Sequence, residues 1–279
     1  MDNQDIILFI NAVKDVSDYN FSDYSLKSFG RRLEKILMDH RIDIYTLINR
    51  VKVDPEFLES VVKDITVNTT ELFRDPQTWH ILRYRILPKL AVQEEIAIWH
   101  AGCSTGLEVY SMIILLSEMN LLHKAKIYAT DINTDVINVA KKAVYVYRFN
   151  IEYLDNFDKV IKENPYNFDE FNNVPYSKYF HIDKVKDTIT MKPFMVDIPI
   201  FKKHDLVVDL NPFNRTYDLI LCRNVLIYFN HELQARIFDK FYDYLDNKGV
   251  LVLGIHESIL GIQANKYIKK GLIYAKKPM

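Results

Sequence analysis

Residues 96–111 read IAIWHAGCSTGLEVYS and residues 126–133 read KIYATDIN. In the first, a short apolar run from Ile96 to His100 passes through a turn bracketed by Gly102 and Gly106 into an apolar helix predicted over 107–119. In the second, a strand predicted over 126–130 is followed by Asp131 and then by a helix over 134–142, capped by Asn133 or Thr134. Two strand–helix units in succession point to a doubly wound parallel sheet, the α/β class. The chain holds only 7 glycines in 279 residues, so each marks a backbone position with a steric demand. A strand–glycine–helix turn lets a ligand approach the backbone at Gly102 and the exposed amides of a helix N-terminus. Asp131 stands 25 residues past Gly106, where a carboxylate accepts both ribose hydroxyls of an adenosine cofactor. The dinucleotide pattern GxGxxG is absent, and so is the triphosphate loop GxxxxGKS/T, which disfavours NAD and nucleoside triphosphates. What remains is adenosine without phosphate. S-Adenosylmethionine fits, because its sulfonium and amino-acid groups need acidic and amide partners such as Glu108 and Asp131.

Outward from this centre, a strand over 217–222, a helix over 231–245, a strand over 250–254 and a terminal strand over 267–274 continue the alternation. Residues of about 150–205 lack that rhythm. They are rich in Asn, Tyr, Asp and Lys, end in alternating segments such as Thr188 to Lys192, and predict an insertion with a few antiparallel strands. On the N-terminal side, apolar spacing near 3.6 residues predicts helices through Ile7, Phe9, Ile10 and Val13, then Leu26, Phe29, Leu33 and Ile36, then Leu47 and Val51. The expected organisation is a helical domain over 1–66 and a cofactor-binding domain over 67–279.

Composition narrows the function classes. Hydrophobic residues at 49% and charged residues at 26% are ordinary for a globular chain, which excludes disordered, fibrous and membrane-bundle proteins. A net charge of -1 offers no global attraction to nucleic acid or to acidic membranes. No apolar run approaches the ~18 residues of a spanning helix, and the N-terminus lacks the features of a secretory signal, so a cytoplasmic protein is expected. Cys103 and Cys222 lie far apart without CxxC spacing, as suits reduced thiols and no metal cluster.

Two further segments carry chemistry. Residues 217–229, YDLILCRNVLIYF, deliver Cys222, Arg223 and Asn224 to the C-terminal end of a strand, where open α/β sheets place their ligands. An arginine inside such an apolar run needs a charged partner or a strand-end position, and Tyr228 follows Asn224 by one helical turn. Residues 66–76, TVNTTELFRDP, can direct Asn68, Thr70 and Arg74 toward the cofactor from the linker. The sequence LNPFN at 210–214 lies before its strand, not after it, and is read as a turn.

Taken together, VNTTELFRDP, GCSTGLEVYS, ATDIN and CRNVLIYF resemble, in order, the motifs of the chemotaxis receptor glutamate O-methyltransferases, the CheR family. The resemblance covers most of the chain. It implies a Rossmann-like class I methyltransferase sheet with a small all-helical N-terminal domain and an inserted β-subdomain. It implies transfer of a methyl group from S-adenosylmethionine to receptor glutamates, leaving S-adenosylhomocysteine and needing no metal. Cofactor contacts carry over to Asn68, Thr70, Arg74, Glu108, Asp131, Arg223 and Asn224, and to Asp205 and Leu206 in KKHDL. Gly102 joins them through its turn, and Arg74 and Tyr228 become the groups nearest the transferred methyl. This chain departs from the family pattern at Leu107 and Val109, at Asp205 where Asn is usual, and at His256 in GIHESI where Ser is usual. HIDKVKDTITM lacks the glycines of family members that dock a receptor pentapeptide, so no such tether is expected. Lys27, Arg31 and Lys35 recur at i, i+4 and i+8 as a basic stripe suited to an acidic helical receptor surface. The alternatives are a methyltransferase for another substrate and a cofactor-binding signalling adaptor without turnover.

Overall fold

The computed structural model describes residues 1–66 and 69–277. Four helices open the chain: α1 (Asn3–Val16), α2 (Leu26–His40), α3 (Ile44–Val53) and α4 (Pro55–Ile65). Their starts are set locally. The side chains of Asp2, Asp43 and Asp54 accept hydrogen bonds from the amides of Gln4 (3.5 Å), Thr46 (2.7 Å) and Phe57 (3.0 Å). Pro55 sits in the first turn of α4, where its missing N–H leaves no gap in the ladder. The apolar stripes of the four helices meet in a core of their own around Phe9, Val13, Leu33, Leu47 and Val61.

The chain then runs through α5 (Pro76–Ile81), a π-turn (Leu82–Ile86) and α6 (Leu87–Leu90) into β1 (Ile96–Ala101). α7 (Leu107–Glu118), β2 (Ala125–Asp131) and α8 (Thr134–Lys142) follow, α8 being capped by Asn133, whose side chain accepts from the Asp135 amide at 2.9 Å. Next come β3 (Val144–Val146), α9 (Tyr147–Asn150), α10 (Tyr153–Phe157), β4 (Phe180–Asp183), β5 (Thr188–Met191) and α11 (Pro193–Val196). The three strands of this group pair antiparallel in the order β3-β5-β4. The chain closes with β6 (Ile200–Lys203), β7 (Tyr217–Cys222), α12 (His231–Tyr244), β8 (Leu245–Leu253), β9 (Tyr267–Lys270) and β10 (Ile273–Lys276).

The main sheet has the order β6-β2-β1-β7-β8-β10-β9, parallel from β6 to β8 and antiparallel at β10 and β9. Side chains alternate across it. Ile96 and Ile98 of β1 join the apolar cluster under α7, while Ala97, Trp99 and Ala101 join the one under α12. Both faces are therefore covered, which is why β1 is buried at every position and reads as a near-continuous apolar run. α7 is buried almost all round, because the sheet covers one side and the inserted segment, through residues such as Phe157, Tyr179 and Met195, covers the other. From β1 the chain goes on to β2 and β6 on one side, then to β7 and β8 on the other. The strand order reverses beside β1, and a crevice opens at the C-terminal ends of these strands.

The doubly wound sheet matches the expected class, with differences at its edges. The single terminal strand expected over 267–274 is a hairpin, β9 and β10, reversed at Gly271 with φ +65°. Residues 200–203, expected within the insertion, form β6 and pair parallel with β2 as the edge of the main sheet. LNPFN is a turn, held by the Asn211 side chain, which donates to the Arg215 carbonyl at 2.6 Å and accepts from the Tyr217 hydroxyl at 3.0 Å. Among the described residues no helix is long and apolar enough to cross a membrane. Cys103 and Cys222 are free thiols, and burial pushes both well above the ordinary thiol range.

Candidate cofactor-binding cleft

After β1 the chain folds over the end of β2. The amides of Gly102 and Cys103 both donate to the Thr130 carbonyl at 2.8 Å. Gly102 (φ +83°) and Gly106 (φ +88°) take the left-handed conformation that this turn requires. Their missing side chains answer to neighbouring protein as well as to any ligand. A Cβ on Gly102 would lie 2.5 Å from Val225 Cγ2, and one on Gly106 2.8 Å from Ala140 Cβ of α8. Gly102 lines the crevice, whereas Gly106 permits close packing of the turn on α8.

Asp131 ends β2 inside the crevice. Its Oδ2 accepts from the Ser104 amide (2.8 Å) and its Oδ1 from the Asn133 amide (2.9 Å), which fixes the carboxylate in place. Each oxygen keeps a further lone pair for a ligand hydroxyl. Burial raises its pKa above the ordinary carboxylate value, against the pull of those amides. Asp205 and Leu206 follow β6 on the same side. Asp205 Oδ1 accepts from the Val207 amide at 2.8 Å, and burial pushes this carboxyl up as well.

Arg223, at the end of β7, is the centre of a buried ionic network. Its Nη1 donates to Glu108 Oε2 (3.0 Å), and its Nη2 donates to Asp75 Oδ2 (2.8 Å) and to the Arg74 carbonyl (2.8 Å). The other oxygen of Glu108 lies 2.8 Å from His100 Nδ1. A guanidinium 1% exposed at its side chain requires such partners. Glu108, expected as a cofactor contact, is the counter-ion of Arg223 and His100 and is not among the residues that line the crevice. Burial pushes its carboxyl up, but the His100 hydrogen bond and the Arg223 charge outweigh that and bring it below its ordinary value.

Asn224 has φ +61° and opens a short loop into Leu226–Tyr228, a single 3₁₀ turn. That loop is suspended from one carboxylate. Glu257 Oε2 accepts from the amides of Asn224 (2.8 Å) and Gly254 (2.7 Å), and its Oε1 from those of Val225 (2.9 Å) and Leu226 (2.7 Å). Tyr228 lines the crevice from this loop, and Arg74 lines it from the segment before α5. Arg74 meets Glu71 only at 4.0 Å, while its carbonyl accepts from Trp79 Nε1 and from Arg223.

The crevice thus brings together Arg74, Gly102, Asp131, Asp205, Leu206, Arg223, Asn224 and Tyr228 from five separate stretches of chain. Thr70 is not among its lining residues, whereas Thr69 is. Asn68 lies outside the described residues. The crevice is also lined by a group from the helical bundle, including Tyr24, Ser28, Phe29 and Arg32, and its loop is held by Glu257, none of which the sequence marks as a site residue. The bundle residues carry no local motif, and only the tertiary approach of α2 and its preceding loop brings them in.

The donor set fits S-adenosylmethionine. The crevice is open to solvent and is bounded by carboxylates on the β2–β6 side and by Arg74 and Arg223 on the other. Leu206, Val225 and Ile227 supply apolar wall for a base. Three of its lining side chains hold buried polar atoms that have no hydrogen-bond partner among the described residues: Ser104 Oγ, His204 Nδ1 and Arg223 Nε. Unpaired buried polar groups collected around one opening favour a polar ligand there.

Residues 68–157 and 155–273 match the sequence profile of the CheR methyltransferase SAM-binding domain. A Pseudomonas putida protein named Cher3 is 36% identical over 256 residues, covering 91% of this chain and 89% of its own length. The chemotaxis protein methyltransferase of Borreliella burgdorferi is 32% identical over 266 residues, covering 86% of this chain and 87% of its own. That of Listeria innocua is 28% identical over 260 residues, covering 92% and 91%.

Proposed function

The chain belongs to the CheR family of S-adenosylmethionine-dependent methyltransferases, and from that premise we propose that it esterifies glutamate side chains of chemoreceptors. What supports this reading is the convergence of Arg74, Asp131, Asp205, Arg223, Asn224 and Tyr228 on one crevice at the switch point of the sheet. Asp131 would hold the ribose and Asp205 with Leu206 the base. Arg74 and Arg223 would face the amino-acid end. The bound cofactor supplies an electrophilic sulfonium methyl to the receptor oxygen.

A glutamate with a pKa of about 4.3 is already ionised at neutral pH, so no strong base is required and the protein's task is alignment. Arg74, only loosely engaged by Glu71, would hold a carboxylate, and the Tyr228 hydroxyl would orient the attacking oxygen. The Arg223–Glu108–His100 network would keep the end of β7 rigid beneath them.

The docking face would be α2. Lys27, Arg31 and Lys35 are exposed, and none of the three forms an ion pair among the described residues. They run beside Ser28 and Arg32, which line the crevice, so an acidic receptor helix held by the stripe would lie at its mouth. The test is incubation with methyl-labelled S-adenosylmethionine and receptor-containing membranes, followed by base treatment. Label on a receptor-sized band that base releases as methanol supports the reading; base-stable label refutes it.

A further inference from the structure

Tyr24 precedes α2 in the loop that joins it to α1, far in sequence from every cofactor motif. Its place is nonetheless tightly set. The backbone of Tyr24 forms an antiparallel bridge with Phe229, the Ser25 amide donates to the Tyr228 carbonyl (2.9 Å), and the Asn230 amide donates to the Asp23 carbonyl (2.8 Å). The ring is packed edge-on against Phe21 (5.0 Å between centroids) and Phe229 (4.9 Å). These contacts direct the side chain into the crevice that Asp131, Asp205 and Leu206 line.

The hydroxyl at the end of this ring makes no hydrogen bond to any described residue. Tyr24 is half-buried and lines the crevice, so its donor and its acceptor capacity are both left for whatever occupies that space. Burial raises the pKa of this phenol far above its usual value, and the nearby charges of Asp205 and Asp131 add to the effect. It is therefore a neutral group that both donates and accepts, positioned near the two carboxylates on the adenosine side. A phenylalanine would fill the same aromatic pocket, so packing alone gives no reason for the hydroxyl.

On the cofactor reading of the crevice, we infer that Tyr24 completes the adenosine half of the site with a hydrogen bond from its hydroxyl. A residue of the helical bundle then binds cofactor directly, and the same residue forms the backbone bridge to the Tyr228–Asn230 segment. The bundle is thus part of the cofactor site in addition to any role in docking. A ligand in the crevice touches both the bundle and the sheet.

The experiment is calorimetric titration of the full-length chain and of Tyr24→Phe with S-adenosylhomocysteine and, separately, with 5′-methylthioadenosine, which lacks the amino-acid end. Loss of one hydrogen bond predicts that Tyr24→Phe weakens both ligands by about fivefold to tenfold, with the ligand-free melting temperature unchanged. Equal affinities for wild type and variant would overturn the inference. So would a loss confined to S-adenosylhomocysteine, which would put the hydroxyl at the amino-acid end. If the wild-type chain itself binds neither ligand, the cofactor reading of the crevice fails first, and the assignment of Tyr24 falls with it.

Discussion

Glu257 offers the sharpest test of how the site is held. Its carboxylate accepts four backbone N–H groups, two on each oxygen, and three of them belong to Asn224, Val225 and Leu226. Glu257→Gln conserves shape but replaces one acceptor oxygen with an NH₂ group. Whichever way the amide is turned, two buried N–H groups then face a donor. Each buried donor left unsatisfied costs about 1–3 kcal/mol, and the two bonds that survive lose the charge that strengthened them. The expected loss is about 3–5 kcal/mol. An unfolding entropy of about 2.1 cal/mol/K per residue amounts to about 0.6 kcal/mol/K for this chain of 279 residues. The melting temperature should therefore fall by about 5–8 °C in differential scanning calorimetry at neutral pH. Affinity for S-adenosylhomocysteine should fall with it, since the suspended loop carries Asn224 and Val225 in the crevice wall. A variant melting within about 1 °C of wild type would refute the view that this carboxylate suspends the loop.

Tyr228→Phe should lower turnover by about tenfold, the worth of one hydrogen bond made in the transition state, while leaving S-adenosylhomocysteine affinity within about twofold. A large loss of affinity would instead make Tyr228 a cofactor-binding group. Reversing Lys27, Arg31 and Lys35 to Glu should raise the KM for receptor by about tenfold at low salt and by less at high salt, with cofactor binding and melting unaltered; unchanged receptor methylation would remove α2 as the docking face. Glu108 is held below its ordinary 4.5, so its contribution to stability is complete above about pH 4.5 and is lost as pH falls through its folded value. The difference in melting temperature between wild type and Glu108→Gln should hold steady from about pH 7 to about pH 5 and shrink as pH is lowered further below about 4.5, and a difference that stays constant through that lower range would refute this.

Local patterns explain what the sequence reveals. β7 is legible because Tyr217 to Cys222 is a compact apolar run that the fold buries on both faces, and Asp131 because its distance from the glycine turn is fixed by one helix and one strand. β6 escapes notice because it is a four-residue edge strand reading IFKK, largely exposed, with pairing on one side only. The β9–β10 hairpin hides in an alternating stretch where Gly271 is the one turn signal. The placement of Glu108 shows a different limit. An acid in the first turn after the glycine loop suits a cationic ligand on chemical grounds, and its pairing with Arg223, 115 positions later, is announced by no local pattern. Tyr24 and Glu257 act across long separations in sequence, and no spacing rule reaches them.

The covering of α7 on both sides has a consequence for any attempt to simplify the molecule. The sequence LEVYSMIILL has no face fit for water, and its outer surface is sealed by side chains from the inserted segment, with Lys178 and Tyr179 both anchored on Glu118. Excising residues 150–199 would leave a bare apolar helix lying across the sheet, an invitation to aggregation. The segment and the sheet should therefore melt as one cooperative unit, with amide exchange in α7 reporting the loss of either. What looks in the linear sequence like an accessory spliced between two halves of the catalytic fold is, in three dimensions, its outer wall.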